Sequence, residues 1–202
     1  QKGITIDSGL LHGQSKTLEA QLNALEDNVR TIAENPKLNL NSRDQVADLL
    51  FTKLNLQAGK KTTTGKQSTS VQTLEPLRDT HPIVAMILDY RELSKLKGTY
   101  LDPLPKLVNE KTKRLHTTFN QVVAATGRLS SINPNLQNIP IRTDIGREIR
   151  KAFIAAEGCK LLVADYSQIE LRVLAHIANE PALVDAFTKG EDIHARTASS
   201  IY

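Results

Sequence analysis

The sequence predicts an α+β fold, with a mainly helical first half followed by a smaller region that mixes strands and helices. Three observations carry this expectation. Apolar residues recur at helical spacing between Leu18 and Leu93. After "LDPLPKL", which ends at Leu107, β-branched and aromatic residues replace that spacing. Finally, an apolar run at 160–165 ends in Asp165, and an amphipathic run begins within five residues, in the order strand, turn, helix.

Each element has its own signal. "SKTLEAQLNALEDNVRTIAENP" places Leu18, Leu22, Leu25, Val29 and Ile32 on one helical stripe, with Ser15 as a candidate N-cap and Asn35-Pro36 as the stop. In "NLNSRDQVADLLFTKL", Ser42 and Gln45 stand at capping-box spacing ahead of Val46, Leu49, Leu50 and Leu54. "AGKKTTTGKQSTS", residues 58 to 70, has no large apolar side chain and reads as a basic loop. "HPIVAMILDYRELSKLKGTY" restores a helix, with Ile83, Val84, Ile87, Leu88 and Leu93 on one side and Lys95 and Lys97 near its end. The segment from Val108 then suggests strands, a short helix after "IPIRT", a buried strand at 160–165 and a helix at about 168–179.

Composition excludes several classes. With 40% hydrophobic and 24% charged residues, the 202-residue chain is ordinary for a soluble globular protein and long enough to bury a real core. It has no membrane-length apolar run and no signal peptide, so a cytoplasmic location without a membrane partner is expected. Cys159 is the sole cysteine, which rules out internal disulfides and a cysteine-based zinc site; it is expected to be a small buried residue. The first residue is Gln1 rather than Met, so the start of the natural protein is expected to lie upstream.

Charge is unevenly spread. Residues 91 to 151 hold 12 Lys and Arg against 5 Asp and Glu, while the remainder holds 14 against 17. The positive excess therefore sits in one central stretch, as on a surface that follows phosphates, although a solvated basic face explains charge alone equally well. A P-loop at residues 59 to 67 fails on spacing: five residues separate Gly59 from Gly65, and Gln67 stands where Ser or Thr is required.

Two blocks carry a resemblance. "TGRLSSINPNLQNIPIRT" and "VADYSQIELRVLAHIA" resemble the palm of family A DNA polymerases, the bacterial DNA polymerase I group, and "DYSQIELR" is similar to that family's motif A. "NLNSRDQ", the loop before "STS", and "YRELSKLKGTY" resemble its thumb, and "GEDIHARTAS" its entry into the fingers. The likeness covers nearly the whole chain in the family's order. It implies a right-hand polymerase architecture with a helical thumb at 1–107, part of an antiparallel-sheet palm at 108–187, and the start of helical fingers at 188–202.

The resemblance also implies roles for residues. Asp165 would bind two Mg²⁺ ions, helped by the backbone carbonyl of Tyr166. Two-metal nucleotidyl transfer needs hard oxygen ligands on rigid backbone. By composition alone Asp165 would more often be a turn residue. Gln168, Ile169, Glu170 and His194 would contact the incoming dNTP, with Glu170 closing the space of a ribose 2′-hydroxyl; otherwise Glu170 is a helix-start carboxylate and His194 a structural histidine. Arg128, Asn135, Gln137, Asn138 and Arg142 would touch primer-template DNA, as would Asn39, Asn41, Ser42 and Lys95 in the thumb. Asx turns beside Pro134 and Pro140 are the structural alternative for the asparagines. His12, His81, His116 and His176 are expected to be structural.

The family's fingers pattern "RxxxKxxxFGxxYG" and its "HDE" motif, which holds the second catalytic aspartate, do not occur in these residues. The chain is therefore expected to be an inactive fragment of a monomeric DNA-directed DNA polymerase. The other class that stays open is a non-catalytic nucleic-acid-binding module.

Overall fold

The computed structural model describes residues 2–57, 65, 67–141 and 143–201, with the side chains of residues 200 and 201 left aside. The chain divides into two compact units between Lys160 and Leu161. Among the described residues, no helix is long and apolar enough to cross a membrane.

The first unit opens with strand β1 (Thr5–Ile6) and helix α1 (Ser8–Ile32). Ser15 is not the N-cap that the spacing suggested. The cap lies eight residues earlier, where the Asp7 carboxylate accepts the Leu10 N–H at 2.9 Å. Gly9 and Gly13 weaken the local helix signal there. Packing overrides them, because Leu11 in that first stretch is fully buried. Ser15 instead lies inside the helix and donates to Asp102 at 2.6 Å.

Helix α2 (Arg43–Ala47) starts at Ser42, whose hydroxyl accepts the Gln45 N–H at 3.4 Å, and runs into a π-helical turn at Asp48–Lys53. The second half of the capping box is displaced: Gln45 accepts from the Asn39 N–H at 2.9 Å rather than from Ser42. Helix α3 (Val71–Leu74) leads to α4 (Pro82–Leu96), which has proline at its first position and the His81 ring accepting the Ile83 N–H at 3.2 Å. A second π-helical turn, Lys97–Leu101, joins α4 to α5 (Pro103–Lys106). Strands β2 (Thr118–Asn120) and β3 (Ser130–Ile132) pair antiparallel, with Phe119 opposite Ser131. Helix α6 (Asp144–Lys151), capped by Thr143, precedes β4 (Phe153–Ile154), which pairs antiparallel with β1.

Two apolar cores fill this unit. One gathers Leu40, Leu50, Leu74, Ile83 and Ile87 with Val29 near the end of α1. The other gathers Leu11 and Leu18 from the start of α1 with Leu96, Leu101, Leu104 and Ile149. Each fully buried Leu or Ile stabilises the fold by roughly 1.5–3 kcal/mol relative to exposure.

The second unit contains α7 (Ile169–Ala178), α8 (Pro181–Lys189) and α9 (Ile193–Ile201). The buried strand expected at 160–165 is not formed. That run lies outside any strand or helix, and Leu162 and Val163 are 92% and 88% exposed. A strand exists only when its N–H and C=O groups find a ladder partner, and no described residue pairs with this run. Cys159, expected buried, is exposed in the turn before this run, where its N–H returns to Ala156 O at 2.9 Å.

Candidate nucleic-acid and nucleotide surfaces

In the first unit, the residues expected to meet DNA fall into two groups. Asn39 and Asn41 are exposed at the approach to α2, and Ser42 is half-buried at its cap. Each also shapes the turn. The Asn39 side chain accepts the Asn41 N–H at 2.9 Å, and the Asn41 amide donates to the Tyr90 hydroxyl at 3.2 Å. Lys95 is exposed in the last turn of α4.

Sequence reasoning missed Arg91. Its guanidinium is held by the carbonyl of Thr69 and, at 3.4 Å, by the Thr69 hydroxyl. Burial pushes its pKa below the ordinary arginine value, and the positive charge of Arg43 adds to the effect. Next to Thr69 in the chain, the hydroxyls of Ser68, Ser70 and Thr73 are joined to one another at 3.0–3.3 Å. No local pattern reveals the Arg91 contact, because Thr69 lies 22 residues away in sequence. Most of the basic loop at 58–70 lies outside the described residues, as does Arg142.

The second group sits on and after the β2–β3 hairpin. Gly127 adopts φ 75°, a left-handed turn that a side chain would strain, and Arg128 follows it, exposed. Asn135 accepts the Gln137 N–H at 3.0 Å, which is the Asx turn weighed as its structural role. Gln137 acts as a backbone surrogate. Its carbonyl accepts the Ser131 N–H at 3.0 Å, and its amide donates to Leu129 O at 3.0 Å.

Asn138 keeps an exposed side chain, while its backbone carbonyl takes the Tyr100 hydroxyl. Arg150 donates to Ile139 O at 3.3 Å. Gly146 lies directly against Pro140, where an added Cβ would meet the Pro140 Cβ at 2.6 Å. The polar loop is thus fastened from several sides before any ligand arrives. The contribution of Tyr100 was not legible in the sequence.

In the second unit, Asp165 is exposed and Tyr166 is 79% exposed, both upstream of α7. Gln168 precedes α7 with φ 52°, a left-handed backbone that is uncommon for non-glycine residues. Ile169 opens the helix, and Glu170 is exposed in its first turn, where a carboxylate complements the helix dipole. Arg172 holds the turn: its Nε donates to Ser167 O at 2.9 Å, and its guanidinium lies 4.4 Å from the Phe187 ring centre on α8. His194 is exposed on α9, with its N–H on Asp192 Oδ1 at 2.8 Å. The carboxylate of Asp165 and the carbonyl of Tyr166 are hard oxygen donors of the kind Mg²⁺ prefers. They fit in kind and not in number, because no group of three metal-binding side chains occurs among the described residues.

The model of DNA polymerase family A matches residues 8–202. The chain is 56% identical to a thermostable DNA polymerase I of Thermus thermophilus, covering 99% of this chain and 24% of that protein. It is 54% identical to DNA polymerase I of Deinococcus radiodurans, covering 99% and 21%. The chain therefore spans between a fifth and a quarter of the length of these relatives. Among solved structures, the POL domain of Pol1 from M. smegmatis, in complex with DNA primer-template and dNTP, is 41% identical with a TM-score of 0.88. That match covers 98% of this chain and 35% of the solved one.

Proposed function

The chain belongs to DNA polymerase family A, and on that premise we propose that it is the central piece of a DNA-directed DNA polymerase. The parent enzyme transfers nucleotides 5′ to 3′ from dNTPs to a primer 3′-hydroxyl and works as a monomer in the bacterial cytoplasm. The observation that carries the reading is the likeness, over 98% of the chain, to a POL domain solved with primer-template and dNTP.

The roles follow the two surfaces. Lys95, Arg43, Arg91 and the turn Asn39–Ser42 bind backbone phosphates, which fix register without reading sequence. Arg128 and Asn138 reach minor-groove acceptors, from a loop that Asn135 and Gln137 hold in shape; Arg142 joins the same DNA contacts. Gln168, Ile169 and Glu170 line the nucleotide's sugar, and His194 contacts its phosphates. Two Mg²⁺ ions, when bound, supply charge stabilisation at the reacting oxygens. Asp165 and the Tyr166 carbonyl are the donors this chain brings, and a second carboxylate lies outside its 202 residues. The isolated chain accordingly binds DNA without extending it.

The test is primer extension by the full-length polymerase and its Asp165→Asn variant. The substitution is nearly isosteric, and losing a ligand charge that stabilises the reaction by several kcal/mol lowers incorporation by about a hundredfold or more. DNA affinity stays near that of the unmodified enzyme. Normal turnover in the variant refutes the role of Asp165. Tight DNA binding by a full-length protein that never extends a primer favours the binding-module reading instead.

A further inference from the structure

Among the described residues, no hydrogen bond or ion pair holds the His194 side chain, so its position depends on the helix that carries it. That helix is set by a corner. Helix α8 ends at Gly190 in a left-handed conformation, φ 69°, with the Glu191 N–H returning to Ala186 O at 2.9 Å. Asp192 then accepts the N–H groups of His194 and Ala195 at 2.8 and 3.4 Å and starts α9. Across this corner runs an ion-pair network. Asp185 Oδ2 on α8 accepts from Lys189 at 2.9 Å and from Arg196 on α9 at 3.1 Å, while Arg196 also donates to Glu191 at 2.9 Å. The hydrogen bonds from Lys189 and Arg196 hold the Asp185 carboxyl below the usual carboxylate range.

We propose that Asp185 and Arg196 are positioning residues for the incoming nucleotide, their pair fixing the α8–α9 angle and so the place of His194. The other side of α8 supports this. Phe187 is stacked under Arg172, and Arg172 holds the Ser167 carbonyl within the segment that contains Asp165 and Glu170. Helix α8 is therefore tied to the turn before α7 through one arginine and to α9 through another. An exposed ion pair contributes little to global stability. A small displacement of a substrate-contacting group, in contrast, lowers rate or affinity by orders of magnitude. A network that matters for geometry and hardly for stability has a distinctive mutational signature.

This inference rests on the nucleotide-binding role proposed for His194. The experiment measures single-nucleotide incorporation by the full-length polymerase carrying Asp185→Ala, Arg196→Ala, both together, or Arg196→Lys. KM for dNTP is expected to rise about tenfold in each alanine variant, with kcat within about threefold and the melting temperature unchanged. The double variant should match the worse single one, because both substitutions break the same contact. Arg196→Lys, which can keep one hydrogen bond, should fall between. In a His194→Ala background, Arg196→Ala should add nothing further. Unchanged KM in the Asp185 and Arg196 variants, beside a raised KM in His194→Ala, overturns the positioning role alone. Unchanged KM in His194→Ala overturns the nucleotide role and the inference together. Additive effects in the double variant, or a fall in melting temperature that tracks KM, also overturn it.

Discussion

Replacing Tyr100 with phenylalanine removes a single oxygen from the contact that fastens the polar loop to the helical core. Tyr100 is 5% exposed and packs in the core shared with Leu96, Leu101 and Leu104, and its hydroxyl donates to the Asn138 carbonyl. The ring remains, so no cavity opens, and the energetic change reduces to one hydrogen bond of about 0.5–1.5 kcal/mol. Asn138 is exposed, so water can take over its carbonyl and spare the larger cost of a dry, unpaired acceptor, about 1–3 kcal/mol. Arg150 and Gln137 still restrain the loop. The expected destabilisation is therefore about 1 kcal/mol, read as a lower urea midpoint at constant m-value in the 202-residue chain. Because the proposed DNA surface includes this loop, anisotropy with a labelled primer-template should show affinity weakened by up to about fivefold. An unchanged midpoint and unchanged affinity would show that the hydroxyl holds nothing. A loss beyond about 3 kcal/mol would show that ring packing was disturbed and that the hydrogen-bond reasoning does not apply.

Lys95→Ala should weaken DNA binding at all sequences and reduce the slope of log affinity against log salt by about 0.9, measured by salt titration; an unchanged slope removes Lys95 from the phosphate surface. Glu170→Ala in the full-length polymerase should lower the deoxynucleotide-over-ribonucleotide ratio of kcat/KM at least about tenfold, whereas a helix-start carboxylate alone would leave it unchanged. Burial raises the pKa of Asp102, but the Lys97 ammonium and the Ser15 hydroxyl, at 2.8 and 2.6 Å, outweigh burial and hold it below the usual range. Its stabilising contribution is therefore complete above the unfolded value of about 3.9 and is lost as pH falls through the lower folded value. Urea midpoints between neutral pH and about pH 2 should decline less steeply in Asp102→Asn, and parallel declines would exclude the contribution.

What the sequence made legible was mostly local. The stripe Ile83, Val84, Ile87 and Leu88 turned out buried on α4, and Ser42 caps α2 as its spacing required. The strand character after Val108 and the helix from Ile169 were readable from composition and period. What was not legible depends on partners distant in sequence. Gly9 and Gly13 hid the true start of α1, because the packing that fixes it comes from residues such as Leu104 and Ile149. The run 160–165 has the composition of a strand, but strand pairing needs a second segment. The contacts of Arg91 with Thr69 and of Tyr100 with Asn138 span 22 and 38 residues, and no periodicity records such pairs. In the polar loop, the sequence did not show how Gln137 and Asn138 are fastened to Leu129, Ser131 and Tyr100.

The sharing of α1 between two cores bears on how the first unit comes apart. At 25 residues the helix is about 37 Å long, and α4, its neighbour, likewise reaches from Ile83 in one core to Leu96 in the other. Neither core can open without stripping one half of both helices, which would leave the other half without its packing. The change of composition near residue 107 therefore marks no seam in cooperativity. The amide protons of Leu50, Leu74, Ile87, Leu101 and Leu104 should exchange through one common opening, as in a single foldon. Sharing both helices thus turns local contacts into collective rigidity.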